Sequence, residues 1–358
     1  MIHPSLKEGI EVNDAQFGFR PGLSTDSAIF CLKATINHYV SRATSVYACF
    51  LDLSRAFDLV NYNLLWEKLR ASNVPTKTVN LLGYWYGNQT NSVRWGDATS
   101  SEYRLECGVR QGGLTSPDLF SLYVNDLIAE LRGTRVGCHI GSTCMNNFSY
   151  ADDMVLLSPS IKGLRKLLAI CERYAAQHGL KYNVKKTVAM VFRSGRGPES
   201  IQEVFLDGEK IERVERFRYL GHIVTEYLKD DEDIERERRA LSVRCNMLSR
   251  RFAKCTDPVK VTLFRAYCLS FYTCQLWRKV QYNDAYRILM KLPRYCSASA
   301  MFAEARVRDF FAIMRSRIAT FWSRLRESKN EILSTLAGCL DCSINKHWRS
   351  VHQEANRK

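Results

Sequence analysis

The chain has 358 residues, 46% apolar and 25% charged, a balance that excludes a disordered or fibrous protein and allows two or three subdomains with real cores. No run of 18 apolar residues occurs, and the opening MIHPSLKEGI lacks a charged-then-apolar leader, so the expectation is an intracellular protein, neither secreted nor membrane-bound. The net charge of +15 is localised: Arg236 to Asn330 holds 21 Lys/Arg against six Asp/Glu, the footprint of a polyanion-binding lobe beside a neutral body, although solvated helix faces would give the same excess.

In chain order, residues 45–53 (SVYACFLDL) are a β-branched and aromatic run ending in one aspartate, which predicts a buried strand. Helical patterns follow at 61–72 and at 76–88, where Pro75 suits a helix start. Short strands are expected at 91–95 and 102–107. In VRQGGLTSPDLFSLYVNDL, Ser116 is placed to cap a helix, Pro117 fits its first turn and Asp118 complements its dipole. A strand–turn–strand around Tyr150–Asp153 precedes an amphipathic helix near 161–178 and a strand at 189–192. SGRGPES (194–200) is a turn-rich break, and Asp207–Gly208 predicts a hairpin. Beyond residue 228 the chain reads as all-helical and basic, and DDEDIERERRALSVRCNMLSRRF runs from acids into bases as a helix dipole favours. The 13 cysteines have no framework spacing and read as reduced, buried thiols.

FSYADDMVLL (148–157) places two adjacent aspartates in an apolar run. Unpaired carboxylates there are costly, and neighbours repel. Protonation, a basic partner or a divalent cation would resolve this, and no basic residue lies in the run. Asp52 adds a third carboxylate at the end of an equally apolar strand. Three hard oxygen donors on neighbouring strand ends suit Mg²⁺, whereas a charged β-turn is the plain alternative for the pair alone.

At this point six motifs stand in order: FGFRPGLSTDSAI (17–29), FLDLSRAFDLV (50–60), GVRQGGLTSPDLFSLYVNDL (108–127), FSYADDMVLL (148–157), GLKYNVKKT (179–187) and FRYLGHIV (217–224). With them the chain resembles the reverse transcriptases of non-LTR (LINE-type, jockey-like) retrotransposons. The resemblance implies an α/β (α+β) right-hand polymerase: an antiparallel palm sheet with helices, partial fingers and an all-helical basic thumb. The expected divisions are partial fingers at 1–44, palm with remaining fingers elements at 45–228, thumb at 229–330 and a tail at 331–358. The implied function is RNA-directed DNA polymerisation, by two-metal transfer of dNTPs onto a primer 3′-hydroxyl paired to template RNA. The resemblance places two Mg²⁺ ions, or Mn²⁺, on Asp52, Asp152 and Asp153, with Tyr150 beside the substrate.

By the same resemblance Phe57 is a steric gate against a ribose 2′-hydroxyl, with a core ring as the alternative. Gln111 and Gly112 belong to the loop at the nascent base pair, and Lys186 lies near the leaving pyrophosphate. Tyr219, Leu220 and Gly221 match the primer-grip hairpin. Arg20 is assigned to template or phosphate, or to its own turn. Arg250, Arg251 and Lys254 suit a phosphate backbone. Protein partners are not readable, and nuclear action is implied by the family's priming at a chromosomal nick. The resemblance begins within the family's fingers, so an N-terminally truncated copy is expected, and a non-catalytic nucleic-acid-binding remnant is the alternative function. Cys339, Cys342, His347 and His352 approach a zinc-knuckle spacing, but the last ligand type differs and the default is a helical tail without zinc.

Overall fold

In the computed structural model the fold grows from β1 (Val46–Leu51), whose run VYACFL is almost wholly shielded from water. A strand covered on both faces needs continuous rather than alternating apolar residues. The structure describes residues 2–195, 202–277, 290, 297, 302–339, 345–346 and 348, which fall into two compact units, 1–214 and 215–358.

In the first unit β1 is the centre of a five-stranded sheet. It pairs antiparallel with β9 (Asp153–Ser158) on one side and β10 (Val188–Phe192) on the other. β8 (Asn147–Tyr150) extends the sheet beyond β9. The edge strand β13 (Glu212–Arg213) runs parallel to β10, a departure from the all-antiparallel sheet the sequence suggested. The chain reaches β13 only after a hairpin, β11 (Phe205–Leu206) with β12 (Glu209–Lys210), so it returns in the same direction as β10. That hairpin turns at Asp207 and Gly208, both with positive φ, as the sequence indicated.

Helices α2 (Thr25–Val40), α5 (Ser116–Gly133) and α6 (Ile161–His178) pack on the sheet. α6 begins at a Ser160 side chain that accepts the Gly163 N–H at 3.1 Å, and it ends at left-handed Gly179. The expected Ser116 cap on α5 is not formed. Thr115 precedes the helix without a side-chain bond, and Ser116 is its first residue. The Ser116 hydroxyl is buried beside Gly113, where a Cβ would meet it at 2.6 Å, and it makes no hydrogen bond among the described residues. α1 (Ile2–Gly9), α3 (Tyr62–Ala71) and α4 (Thr76–Gly87) complete the helices of the unit. α3 is capped by Asn61, whose side chain accepts two backbone N–H groups. Between α4 and α5 lie the short pairs β2 (Thr90–Asn91) with β5 (Tyr103–Arg104) and β3 (Arg94–Trp95) with β4 (Ala98–Thr99); β6 (His139–Ile140) and β7 (Thr143–Cys144) form a further hairpin.

The second unit holds a hairpin, β14 (Arg216–Tyr219) with β15 (His222–Thr225), and four described α-helices: α7 (Asp231–Arg251), α8 (Asp257–Cys268), α9 (Phe310–Glu327) and α10 (Glu331–Gly338). The unit begins at Glu215, earlier than the compositional change near residue 228, because this hairpin is tied to α7. The Ile223 N–H donates to Asp233 Oδ1 at 3.0 Å. α7 opens on Asp231, Glu232 and Asp233 and closes on Arg250 and Arg251, the dipole order read from the sequence. Phe264, Phe271 and Trp277 are buried, whereas Tyr267 and Tyr272 are exposed. Eight of the 11 free cysteines among the described residues are buried, as low-exposure thiols should be.

Candidate active site

The register of the central sheet assembles the three aspartates. Leu51 at the end of β1 faces Met154 of β9, so one step further Asp52 stands opposite Asp153. The backbone of Asp52 is held on both sides: its N–H donates to Thr187 Oγ1 at 3.2 Å, and its carbonyl accepts the Asn183 N–H at 2.8 Å. Across the β8–β9 hairpin Tyr150 pairs with Asp153, leaving Ala151 and Asp152 as a two-residue loop. This loop presents adjacent acids at one sheet edge, which a straight strand cannot do.

The carboxylates sense one another. Desolvation first, then the charges of Asp152 and Asp52, push the Asp153 carboxyl up to about 6. Asp153 is open to solvent on one side, yet the surrounding protein removes enough water for desolvation to dominate. Asp152 is also raised, chiefly by desolvation and further by Asp52, against a lowering hydrogen bond from its own backbone. Among the described residues no three His, Cys, Asp or Glu side chains lie close enough to form a finished metal shell. Three carboxylates near one another at one end of the sheet are nonetheless the donor type a hard divalent cation takes, and a cation would relieve the charge that desolvation and like neighbours make unfavourable there.

A residue that the sequence reading passed over supports this loop. Gln16 is fully buried, and its Oε1 accepts the N–H groups of Gly18 and Ala151, each at 3.0 Å. Its Nε2 donates to the Ala151 carbonyl at 3.3 Å. Ala151 has φ +58°, a left-handed backbone that costs an alanine about 1–2 kcal/mol. Thr187, buried behind Asp52, was likewise unanticipated. Both are unreactive polar residues, so chemistry gave no cue. The one cue was Gln16's place directly before the glycine motif FGFRPG.

Other expected residues fall as follows. Phe57 stacks on Phe120 of α5 with centroids 4.7 Å apart and planes 16° apart, and its carbonyl accepts the Val109 N–H at 2.7 Å. Gln111 and Gly112 are exposed, and Gly112 has φ +80°. An open groove of about 750 Å³ beside them is lined by Asp58, Asn91, Arg104, Arg110 and Gln111. Arg110 donates to Asn91 Oδ1 at 2.9 Å, joining this loop to the short strands before it. Lys186 is exposed in the turn that holds Asp52. Arg20 is engaged by its own loop, donating to the Asn13 carbonyl at 3.1 Å and to Asp14 Oδ1 at 3.2 Å.

In the second unit Leu220 and Gly221 form the two-residue turn of β14–β15, both at positive φ, while Tyr219 is buried. The Tyr272 hydroxyl donates to the Leu220 carbonyl at 2.6 Å. Arg250, Arg251 and Lys254 are all exposed at the end of α7. Cys342, His347 and His352 of the zinc-like spacing lie outside the described residues; Cys339 is half-buried.

Neighbouring carboxylates at one end of a sheet are a feature that metal-assisted phosphoryl transfer can use. Residues 1–224 match the reverse transcriptase (RNA-dependent DNA polymerase) family, and the chain belongs to that family. Members of the family generally work with divalent metal ions.

The chain is 27% identical over 225 residues to the Retrovirus-related Pol polyprotein from type-2 retrotransposable element R2DM of Drosophila melanogaster, covering 60% of this chain and 21% of that protein. It is 24% identical over 215 residues to the RNA-directed DNA polymerase from mobile element jockey of Drosophila funebris, covering 58% and 23%. With the jockey enzyme of Drosophila melanogaster the figures are 25% over 280 residues, covering 73% and 29%. The chain thus spans between 21% and 29% of the length of these curated relatives. It carries a reverse transcriptase domain of the non-LTR retrotransposon kind. Apo telomerase from Candida Tropicalis superposes at TM-score 0.48 and 11% identity, over 98% of this chain and 60% of that one.

Proposed function

We propose that the chain is an RNA-directed DNA polymerase that extends a primer 3′-hydroxyl with dNTPs on a template RNA. The observation that carries this is the placement of Asp52, Asp152 and Asp153 near one another at one end of the sheet, with the Asp153 carboxyl pushed up to about 6. The three aspartates would hold two Mg²⁺ ions. Such ions, when bound, supply a more nucleophilic 3′-oxygen and stabilise the leaving phosphate oxygen.

The remaining roles belong to the chain's own side chains. The three aspartates sit at or next to the ends of strands of the central sheet, so little reorganisation is required at the moment of reaction. The Phe57 ring, fixed by its stack on Phe120, stands as a wall that excludes a ribose 2′-hydroxyl by clash. Gln111 and the flexible Gly112 meet the nascent base pair, with Tyr150 beside it. Lys186 gives a counter-charge or proton to the leaving pyrophosphate. Arg250, Arg251 and Lys254 grip the phosphate backbone, and the Tyr219–Gly221 turn steadies the primer.

On this reading residues 1–44 are partial fingers, 45–228 the palm with remaining fingers elements, 229–330 the thumb and 331–358 a tail, acting in the nucleus and/or cytoplasm. RNA template and DNA primer are the partners. The exposed arginines of α7 equally suit a non-catalytic nucleic-acid binder, the second reading. Primer extension by the purified chain on an RNA template, with both loop aspartates neutralised in the control, separates the two.

A further inference from the structure

The geometry points to Gln16 as the positioning residue of the metal site: its buried carboxamide clamps the strained Ala151, and through it sets the direction in which Asp152 and Asp153 present their carboxylates. The inference rests on the metal-dependent reading above and adds a residue to it.

The sequence distance is large but the attachment is dense. The Phe17 N–H donates to the Ser149 carbonyl at 2.7 Å, and the Ser149 N–H donates to the Ala15 carbonyl at 2.8 Å. Residues 15–17 thereby lie alongside β8 as a short parallel pairing centred on Gln16 and Ser149. Phe17 is fully buried and meets Phe148 edge-on at 6.1 Å, which fixes the segment in place. A Cβ on Gly18 would come within 2.4 Å of the Ala151 nitrogen, so only glycine lets the segment approach the loop.

Gln16 then satisfies both polar groups of Ala151, one by accepting and one by donating. Ala151 occupies a backbone region where glycine is usual and where a residue persists only if its surroundings determine it. Asp152 and Asp153 follow directly in the chain, so the peptide orientation fixed at Ala151 is inherited by both. A carboxamide suits this task because it donates and accepts at once and carries no charge to compete for a cation. Gln16 touches no reacting atom; it acts on ligand direction, as partners behind metal ligands do.

The test is Mn²⁺ binding to the full chain, read as loss of the free-ion electron paramagnetic resonance signal, for wild type, Gln16→Met and the Asp152→Asn/Asp153→Asn control. Methionine keeps the buried volume and removes the donor and acceptor. The expected result is Mn²⁺ affinity weakened about tenfold or more in Gln16→Met, within the 10–100-fold range for groups behind a ligand. Duplex binding should be unchanged. Adding Ala151→Gly, which accepts the left-handed backbone without strain, should recover part of the loss. A merely structural role would lower thermal stability without that selective loss or that rescue.

Should Gln16→Met fail to fold, Gln16→Asn, one methylene short of the loop, carries the same expectation. Mn²⁺ affinity within twofold of wild type in a folded Gln16 variant overturns the inference, as does wild-type binding that ignores the loop aspartates. Primer extension is scored separately. Weakened Mn²⁺ binding in a chain that never extends a primer upholds Gln16's role and removes the polymerase reading. Extension with unaltered Mn²⁺ binding does the reverse.

Discussion

His222 Nδ1 and Asp233 Oδ2 lie 2.9 Å apart, both almost completely shielded from water. Trp277 Nε1–H donates to the same oxygen at 2.8 Å, while Arg236 Nε–H and the Ile223 N–H take the other. One carboxylate therefore joins the hairpin to α7 and to the turn after α8. Burial pushes this carboxyl up, but His222, Arg236 and the Ile223 N–H outweigh it and hold it well below the usual carboxylate range. Below about pH 4, the ordinary carboxylate value, the unfolded chain takes up the proton first. The stabilisation is thus complete above that pH and is lost as pH falls toward the folded value. Asp233→Asn should cost about 3 kcal/mol or more, as breaking a buried pair does, and should flatten the acid limb of stability measured by urea unfolding against pH.

Asp153 works with the opposite sign. Its folded value of about 6 lies above the unfolded one, so the folded state holds the proton more tightly between the two. In metal-free protein, stability should fall as pH rises from about 4 through about 6, the unfolded carboxylate having titrated first. Mg²⁺ should reverse the trend by favouring the ionised site, raising Tm more at pH 7 than at pH 5. Asp153→Asn should remove most of that difference in a melting series. A Mg²⁺ effect equal at both pH values would contradict the assignment.

Phe57 stacks on Phe120, and that contact limits how far the ring can shift. Phe57→Val should raise the ratio of ribonucleotide to deoxynucleotide kcat/KM by about tenfold or more, the scale of a removed steric contact. Phe120→Leu, which lets the ring shift, should raise it less. Single-nucleotide incorporation with matched dNTP and rNTP gives both ratios.

Tyr272→Phe leaves the Leu220 carbonyl without its 2.6 Å hydroxyl partner in a turn whose two residues both have positive φ. The loss should be about 1 kcal/mol of stability, the net value of one hydrogen bond. Primer–template affinity should weaken with little change in duplex-independent folding of the sheet unit. Anisotropy of a labelled duplex beside circular dichroism melting separates the two effects.

Replacing Arg250, Arg251 and Lys254 together by Gln should weaken duplex binding for every sequence alike. The slope of log K against log salt should become shallower by about 0.7–0.9 per lost phosphate contact. An unchanged slope would move the phosphate grip elsewhere.

Much of this was legible in the chain. Val46–Leu51 and Val188–Phe192 are buried on both faces, and burial of that kind leaves an uninterrupted apolar run in the sequence. The nearness of Asp52 to Asp153 follows once those strands are adjacent and antiparallel. Contacts fixed only by distant packing left no such trace. Gln16 acts across 135 positions on Ala151, and nothing in its immediate neighbours announces a buried carboxamide. Asp233 reads as one of several acids at a helix start, yet it alone is swallowed by the hairpin, Thr273 and Trp277. Ser116 has the composition of a cap, but it is the first residue of the helix and its hydroxyl is buried beside Gly113 without a hydrogen bond among the described residues. Periodicity and capping report local geometry, whereas these residues answer to partners far along the chain.

The most direct measurement is primer extension by the full chain on poly(rA)/oligo(dT) with dTTP and Mg²⁺, compared with Asp152→Asn/Asp153→Asn, a pair of changes that nearly conserves volume while removing both charges. Extension is expected for the wild type, and its loss by at least about 100-fold, the order of magnitude for removing preorganised charge from a reaction centre, in the variant. Salt-sensitive duplex binding with no extension, or extension that survives loss of both carboxylates, would contradict this expectation.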